Sequence, residues 1–269
     1  MMSAPLQRVW VVGSGLLGSA TLRAARAAGM QTLSIDAAAP ADVQGPAQSA
    51  ETLARAREML EPQAVICCAA THGGSVEAYR GAYSEVAERV AAELPQAKAV
   101  FCSSSAVYEG RGGSVSAEDS PTPGSTEKLR VLLRAEETVL RAGGCVARMA
   151  SLYGEGRCEL LRRHIAGEPQ LPGESGRMLN YVHADDAARA LLLLAQLGAT
   201  GVFNVCAETF SKQQAYAMLE AQTGRPAASH SSEARAGRGR ADHCVSSARL
   251  IALGWRPLVK FSDFAARYA

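Results

Sequence analysis

The residues best placed to do chemistry stand near the start of the chain. Val9-Trp10-Val11-Val12 runs into Gly13-Ser14-Gly15-Leu16-Leu17-Gly18, and a helix-like stretch over 19–28 follows. Strand, glycine turn and helix in that order make a phosphate grip. Gly13 permits the tight turn, Gly15 lets main chain approach a pyrophosphate, and Gly18 lets the helix pack close to the strand. The unpaired N–H groups and the positive end of the helix dipole then face the anion. A second strand over 30–36 ends in Asp36, 23 positions after Gly13. A carboxylate there takes ribose hydroxyls and repels the extra phosphate of NADP. Ala37-Ala38-Ala39-Pro40 follows, with no arginine to receive that phosphate. NAD is the expected cofactor, and NADP stays open.

Two further clusters fall at strand ends. Val65-Ile66-Cys67-Cys68 leads into Ala69-Ala70, small residues that let a cofactor lie against the strand. Val100-Phe101-Cys102 leads into Ser103-Ser104-Ser105, which at the carboxyl end of a central parallel strand faces the ligand crevice. Ala69, Ala70 and Ser103 are therefore counted with the cofactor site. His72, in the loop after Ala70, is explained by solvation as well as by a place in the cleft.

These groups need a frame, and alternating strands and helices supply it. Residues 41–44 read as a minimal third strand, and 51–60 and 77–94 read as helices, the latter stopped by Pro95. The Gly-, Ser- and Pro-rich stretch 109–124 reads as loop. Leu129, Leu132, Leu133, Val139 and Leu140 share one face of a helix over 126–142, closed by Gly143-Gly144. Strands follow at 145–150, 180–183 and 201–205, with Asp185 as cap of a helix over 186–197. Ser211-Lys212-Gln213-Gln214 reads as a capping box. The basic stretch 227–242 reads as loop. Such alternation argues for an α/β fold, a Rossmann-type doubly wound parallel sheet with helices on both faces. The expected core is 1–157, completed by 179–205. A small C-terminal lobe is built from 158–178 and 206–269, with substrate between the two.

Composition excludes several classes. The 269 residues are 48% hydrophobic with a formal charge of +2, which gives no surface for nucleic acid. No apolar run is long enough to span a membrane, and no basic start precedes one, so no secretory signal is expected. Seven cysteines without a C-x-x-C pair read as small core residues in a reducing cytoplasm, with no metal site and no disulfide framework.

The glycine turn, Cys68-Ala69-Ala70, Ser103-Ser104-Ser105-Ala106-Val107-Tyr108, Leu152-Tyr153-Gly154-Glu155-Gly156-Arg157, Asn180-Tyr181-Val182-His183-Ala184-Asp185-Asp186, Val202-Phe203-Asn204-Val205 and Leu253-Gly254-Trp255-Arg256-Pro257 occur in one order along nearly the whole chain. This ordered set resembles the NAD-dependent epimerase/dehydratase family of extended and atypical short-chain dehydrogenases/reductases. The resemblance implies chemistry by a Ser or Thr with a Tyr-x-x-x-Lys pair. Lysine's charge lowers the tyrosine pKa so that the phenolate can take a proton from a substrate hydroxyl. The matching segment here is Gly124-Ser125-Thr126-Glu127-Lys128. If Lys128 is the family lysine, Gly124 stands where the tyrosine belongs and offers no side chain. In this the chain is similar to an atypical, YeeZ-like subgroup that keeps the fold but lacks the tyrosine. Lys128 is then either a helix-surface lysine or a contact of the nicotinamide ribose. The structural aromatics of the family would be Tyr108 and Tyr153, and Tyr181 would line the substrate side.

Two functions follow. The first is an NAD(P)-dependent epimerase/dehydratase-like or reductase-like enzyme acting on a sugar nucleotide or a related hydroxyl or carbonyl compound. Its catalytic set would be Ser104, Ser105 and Lys128. Arg148, Arg157, Asn180 and Arg240 would bind substrate, since arginine matches phosphate and carboxylate bidentately. The second is a cofactor-binding sensor or partner-binding protein without turnover. The family also implies a homodimer.

Overall fold

The computed structural model describes residues 5–71, 73–171, 174–229 and 242–268. In chain order its elements are β1 (Arg8–Val12), α1 (Leu16–Ala27), β2 (Gln31–Asp36), β3 (Val43–Gln44), α2 (Ala50–Met59), β4 (Ala64–Cys67), α3 (Val76–Tyr79), a π-helical turn (Arg80–Ser84), α4 (Glu85–Glu93), β5 (Lys98–Ser104), a 3-10 turn (Ser105–Tyr108), β6 (Ser114–Ser116), α5 (Glu127–Arg141) and β7 (Cys145–Met149). Then come β8 (Ser151–Tyr153), α6 (Glu159–Ile165), β9 (Met178–His183), α7 (Ala184–Gln196), β10 (Gly201–Val205), β11 (Glu208–Ser211), α8 (Lys212–Thr223), β12 (His243–Val245), α9 (Ala248–Ala252) and α10 (Phe261–Ala265).

Seven strands form one parallel sheet in the order β10-β7-β5-β4-β1-β2-β3. Every residue of β4 and β7 is buried, as a sheet covered on both faces requires. Alternate side chains divide between two cores. Val9, Val11, Ile66, Val100 and Ala147 pack with α1 and α7. Trp10, Val12, Val65, Phe101 and Val146 pack with α2, α4 and α5. Each fully buried side chain of this size contributes about 1.5–3 kcal/mol. The Trp10 indole N–H stays satisfied by donating to Leu60 O at 2.7 Å. The strand order reverses between β1 and β4, which opens a crevice above their carboxyl ends.

A third core lies in the small sheet β11-β9-β8 with α6, α8 and α10. Tyr153 is its hub, with the rings of Tyr181, His183, Phe261 and Phe264 edge-on at 5.9, 5.1, 5.4 and 5.2 Å. Asp186 ties the C-terminal chain to α7. Fully buried, it accepts from Leu258 N at 2.8 Å and Val259 N at 3.0 Å and pairs with Arg189. The Trp255 indole donates to Asp186 O at 3.0 Å.

Several sequence expectations need correction. Of the segment expected to complete the core, β10 joins the seven-stranded sheet and α7 packs on α1, but β9 pairs with β8 and β11. His183 rather than Asp185 caps α7, its ring accepting from Asp185 N. The loop 109–124 contains β6, paired in parallel with distant β12. The helix over 77–94 is interrupted by the π turn. The capping box at Ser211 and Gln214 is present.

Two stability tests follow. Asp186→Ala leaves two inward-facing N–H groups and Arg189 without their acceptor, and should cost about 3 kcal/mol. A urea midpoint equal to wild type would contradict the tie. Burial also holds the imidazoles of His164, His183 and His243 below their ordinary value. Each prefers to be neutral when folded, so stability is full above the unfolded pKa near ~6.5 and falls as pH drops through it toward the folded value. The urea midpoint should be lower at about pH 5.5 than at about pH 7.5.

Candidate functional site

The crevice at the switch point is a cleft of about 760 Å³. Its walls are the glycine turn, the end of β2, the loop Gly45-Pro46-Ala47-Gln48, the ends of β4, β5 and β7, and one side of the π turn.

The three glycines do different jobs. Gly13 has φ +92°, and a Cβ there would meet Ala69 N at 2.7 Å. A Cβ on Gly18 would lie 1.7 Å from Gly13 O, so helix and turn touch through main chain alone. Gly15 is the opposite case: a Cβ there meets nothing within 4 Å. It is the N-cap of α1, with no side-chain cap and no acidic residue in the first turn. The first N–H groups of the helix are thus left for an anion. Ser14 Oγ is buried in the same turn without a hydrogen-bond partner.

Asp36 closes the far side. Its Oδ2 accepts from Ser14 N at 2.6 Å, and Oδ1 accepts from Ala38 N and Ala39 N, both at 2.8 Å. Burial works against its charge, but the main-chain donors of Ser14, Ala39, Ala38 and Ala37 outweigh it and hold the carboxyl below the ordinary value. The cleft therefore carries a fixed negative charge here. Gly13, Gly15, Leu16, Leu17, Asp36, Ala69, Ala70, Ser103 and Ser104 all line it.

The serine cluster divides by role. Ser103 turns its hydroxyl away, donating to Glu136 Oε1 at 2.5 Å. Ser104 Oγ accepts from Ala106 N at 3.2 Å and keeps its own proton available to the cleft. Ser105 is buried in the 3-10 turn and does not line the cleft.

Two of the expected substrate contacts are consumed elsewhere. Arg148 is buried and paired with buried Glu136, Nη2 to Oε2 at 2.7 Å, with its guanidinium 4.9 Å above the Tyr108 ring. Burial opposes its charge, yet Glu136 outweighs burial and raises its pKa. Asn180 spends its amide on His243 O at 2.8 Å, and its Oδ1 accepts from Val245 N and the Thr209 hydroxyl, each at 2.8 Å. It joins β9 to β12 and does not line the cleft. Arg157 does line the cleft, exposed and without a side-chain partner among the described residues. Arg240 and His72 lie outside the described residues.

Gly124 is not in α5. It has φ +60°, and the helix begins three residues later, at Glu127 behind its Thr126 cap. A Cβ on Gly124 would meet Arg130 Cγ at 3.2 Å and Leu133 Cδ1 at 3.3 Å. Positions 124 and 128 do not share a helical face. Lys128 points to the wall made by the β4–α3 loop and α3, with Nζ 3.4 Å from Gly73 O and 5.3 Å from the Tyr79 ring centre. The Tyr79 ring in turn packs at 5.1 Å on that of Tyr83, which lines the cleft. Tyr108 is structural, donating to Asn204 Oδ1 at 2.6 Å, and Tyr181 is buried in the third core. The sequence reading missed the loop 45–48 and Tyr83. A Gly-Pro pair after the third strand was a usable signal for the first. The π turn that places Tyr83 has no sequence mark.

A parallel sheet whose switch point carries an open glycine turn facing an acidic β2 end defines a dinucleotide-binding Rossmann protein. The chain belongs to the NAD dependent epimerase/dehydratase family, whose profile matches residues 9–206. No curated protein matches the sequence. Solved structures share the fold. MoeE5 in complex with UDP-glucose and NAD is 22% identical over 96% of each chain, with a TM-score of 0.81. The Thermus thermophilus UDP-glucose 4-epimerase in complex with NAD is 21% identical over 97% of each chain, with a TM-score of 0.81. The Bacillus anthracis dTDP-glucose 4,6-dehydratase in complex with NAD is 15% identical over 97% of this chain and 95% of that one, with a TM-score of 0.83. No helix among the described residues is long and apolar enough to cross a membrane.

The glycines separate folding from binding. Gly18→Ala forces main chain apart and should lose about 3 kcal/mol or more of stability. Gly15→Ala should change stability by less than about 0.5 kcal/mol yet weaken NAD binding at least about tenfold, by crowding the phosphate. Thermal melts with and without NAD read both effects. Equal NAD affinity in wild type and Gly15→Ala would remove the turn from the site.

Proposed function

We propose that this protein is an NAD-dependent epimerase/dehydratase-like or reductase-like enzyme acting on a sugar nucleotide, with a proton-handling site that departs from the family pattern. The observation that carries the reading is Gly15: the middle glycine alone is open, above a cleft whose far end holds a charged Asp36. NAD fits this set: open N–H groups at the start of α1 and the charged Asp36 carboxylate across the cleft. The N–H groups at the start of α1 would hold its pyrophosphate, Asp36 its ribose hydroxyls, and Ala69 and Ala70 would let it lie against β4. When bound, NAD supplies a reversible hydride carrier.

The chain's own residues then handle position and protons. Ser104 donates its hydroxyl proton to the substrate oxygen. Tyr83 supplies a phenol where Gly124 has none, but as an acid rather than a phenolate base, since among the described residues it is the tyrosine lining the cleft. Burial raises its phenol above the ordinary value, so it stays protonated at neutral pH and acts as donor toward a carbonyl oxygen. Tyr79 and Lys128 hold that phenol in place from behind. Arg157 is the cation on the cleft rim for a substrate phosphate, with Arg240 as a second candidate. The lobe after Val205 would cover the sugar. A cytoplasmic homodimer belongs to the same reading.

The test is turnover of UDP- and dTDP-hexoses by purified protein, followed by product analysis and by absorbance of reduced cofactor. Tyr83→Phe should lower kcat about 10²–10⁴-fold with NAD binding retained, the range for loss of a general acid. NAD binding with no turnover of any nucleotide sugar would overturn the enzymatic reading. Full activity in Tyr83→Phe would overturn the assignment of the phenol.

A further inference from the structure

Two thiols meet in the cleft. Cys102 lies in β5, and Cys68 immediately follows β4. The register Cys67↔Phe101 makes Cys68 and Cys102 the next cross-strand neighbours. Both belong to the face of the sheet that packs with α1 and α7, while Cys67 points into the opposite core. Their sulfurs are 3.6 Å apart, and both residues line the cleft. Neighbouring strands run about 4.8 Å apart, inside the roughly 4.4–6.8 Å that a disulfide spans between Cα atoms.

We propose that Cys68 and Cys102 form a reversible disulfide on the cleft floor when a hydroperoxide enters, and that this oxidation and a bound dinucleotide exclude one another. The bridge itself stands on the sulfur geometry, whereas the exclusion rests on the NAD reading above. Cys68 is the half-buried member of the pair and Cys102 the buried one. The contact with Cys68, and then burial, push the Cys102 thiol well above its ordinary value, so it keeps its proton until the second step. Cys67 is no competitor, since burial pushes its thiol to about 12.

With hydrogen peroxide the steps balance. The Cys68 sulfur attacks one peroxide oxygen, the O–O bond breaks, and the departing hydroxide leaves as water with the Cys68 proton. Cys68 is then a sulfenic acid. The Cys102 sulfur attacks the Cys68 sulfur, the S–O bond breaks, and the second hydroxide leaves as water with the Cys102 proton. Two thiols lose two electrons in all, and one peroxide gains them. The sulfurs must close from 3.6 Å to about 2.05 Å, which side-chain rotation at this strand spacing achieves on the cleft wall that Ala69 and Ser104 also line.

The experiment uses the full-length reduced protein, treated with hydrogen peroxide with and without NAD. Without NAD, denatured protein should titrate five thiols instead of seven, lose two hydrogen atoms in mass, and yield one linked peptide pair containing Cys68 and Cys102, all restored by dithiothreitol. Cys67→Ser should form the same link, while Cys68→Ser and Cys102→Ser form none. With NAD at about ten times its Kd, measured separately by thermal shift, the link should form about tenfold more slowly. Oxidation of either thiol to sulfinic acid without a link between them overturns the bridge. An unchanged rate with NAD bound overturns the exclusion. If NAD gives no thermal shift, the dinucleotide reading fails, and the bridge is still decided by the arm without NAD.

Discussion

One contact sets the rest of the molecule: the main-chain approach of α1 to the turn that precedes it. Gly13 O lies where a side chain on Gly18 would have to begin, at 1.7 Å from its Cβ position. Only hydrogen fits there, so the helix is pulled down onto the carboxyl end of β1. Its first N–H groups then point across the switch point rather than over the top of the sheet. Gly13 is locked in the same way against Ala69, which fixes the distance between the β1 and β4 ends. The cleft floor is thus determined by main chain, before any side chain contributes.

Behind that floor the polar groups are spent on rigidity. Glu136 on α5, Arg148 on β7 and Ser103 on β5 form a closed buried set, and Tyr108 and Asn204 extend it to β10. Breaking one member of a buried pair of this kind leaves an uncompensated charge, at about 3–5 kcal/mol. The set welds three strand ends and one helix into a wall. It also explains why arginine in the middle of a buried strand is tolerated, and why that arginine is not available to a ligand. Asn180 plays a similar part between the two small sheets.

What could be read from the chain was what geometry writes into residue type. The glycine turn and Asp36 were legible because turn, close approach and strand-end charge each demand one kind of residue at one spacing. The seven-stranded order was not legible, but its parallel character was, from the alternation of strands and helices. Arg148 and Asn180 misled because their partners, Glu136 and His243, sit on elements that only the folded chain brings near. β6 and β12 are three residues each and owe their existence to one another. Lys128 could be matched to a family position, but its cap, Thr126, starts the helix too late for residue 124 to share its face.

The π turn between α3 and α4 has a consequence for how this wall can vary. Its hydrogen bonds span one residue more than those of the flanking helix, so the two halves run in different angular phase, offset by about 100° for the additional residue. Deleting a single residue from 80–84 would let the ladder become regular and leave Tyr79 facing Lys128, because the wide turn takes up the additional residue. Tightening the same five residues into a regular helix without a deletion would instead swing Tyr79 off Lys128 while α4 stayed on the sheet. The facing of this segment is thus held by the wide turn itself.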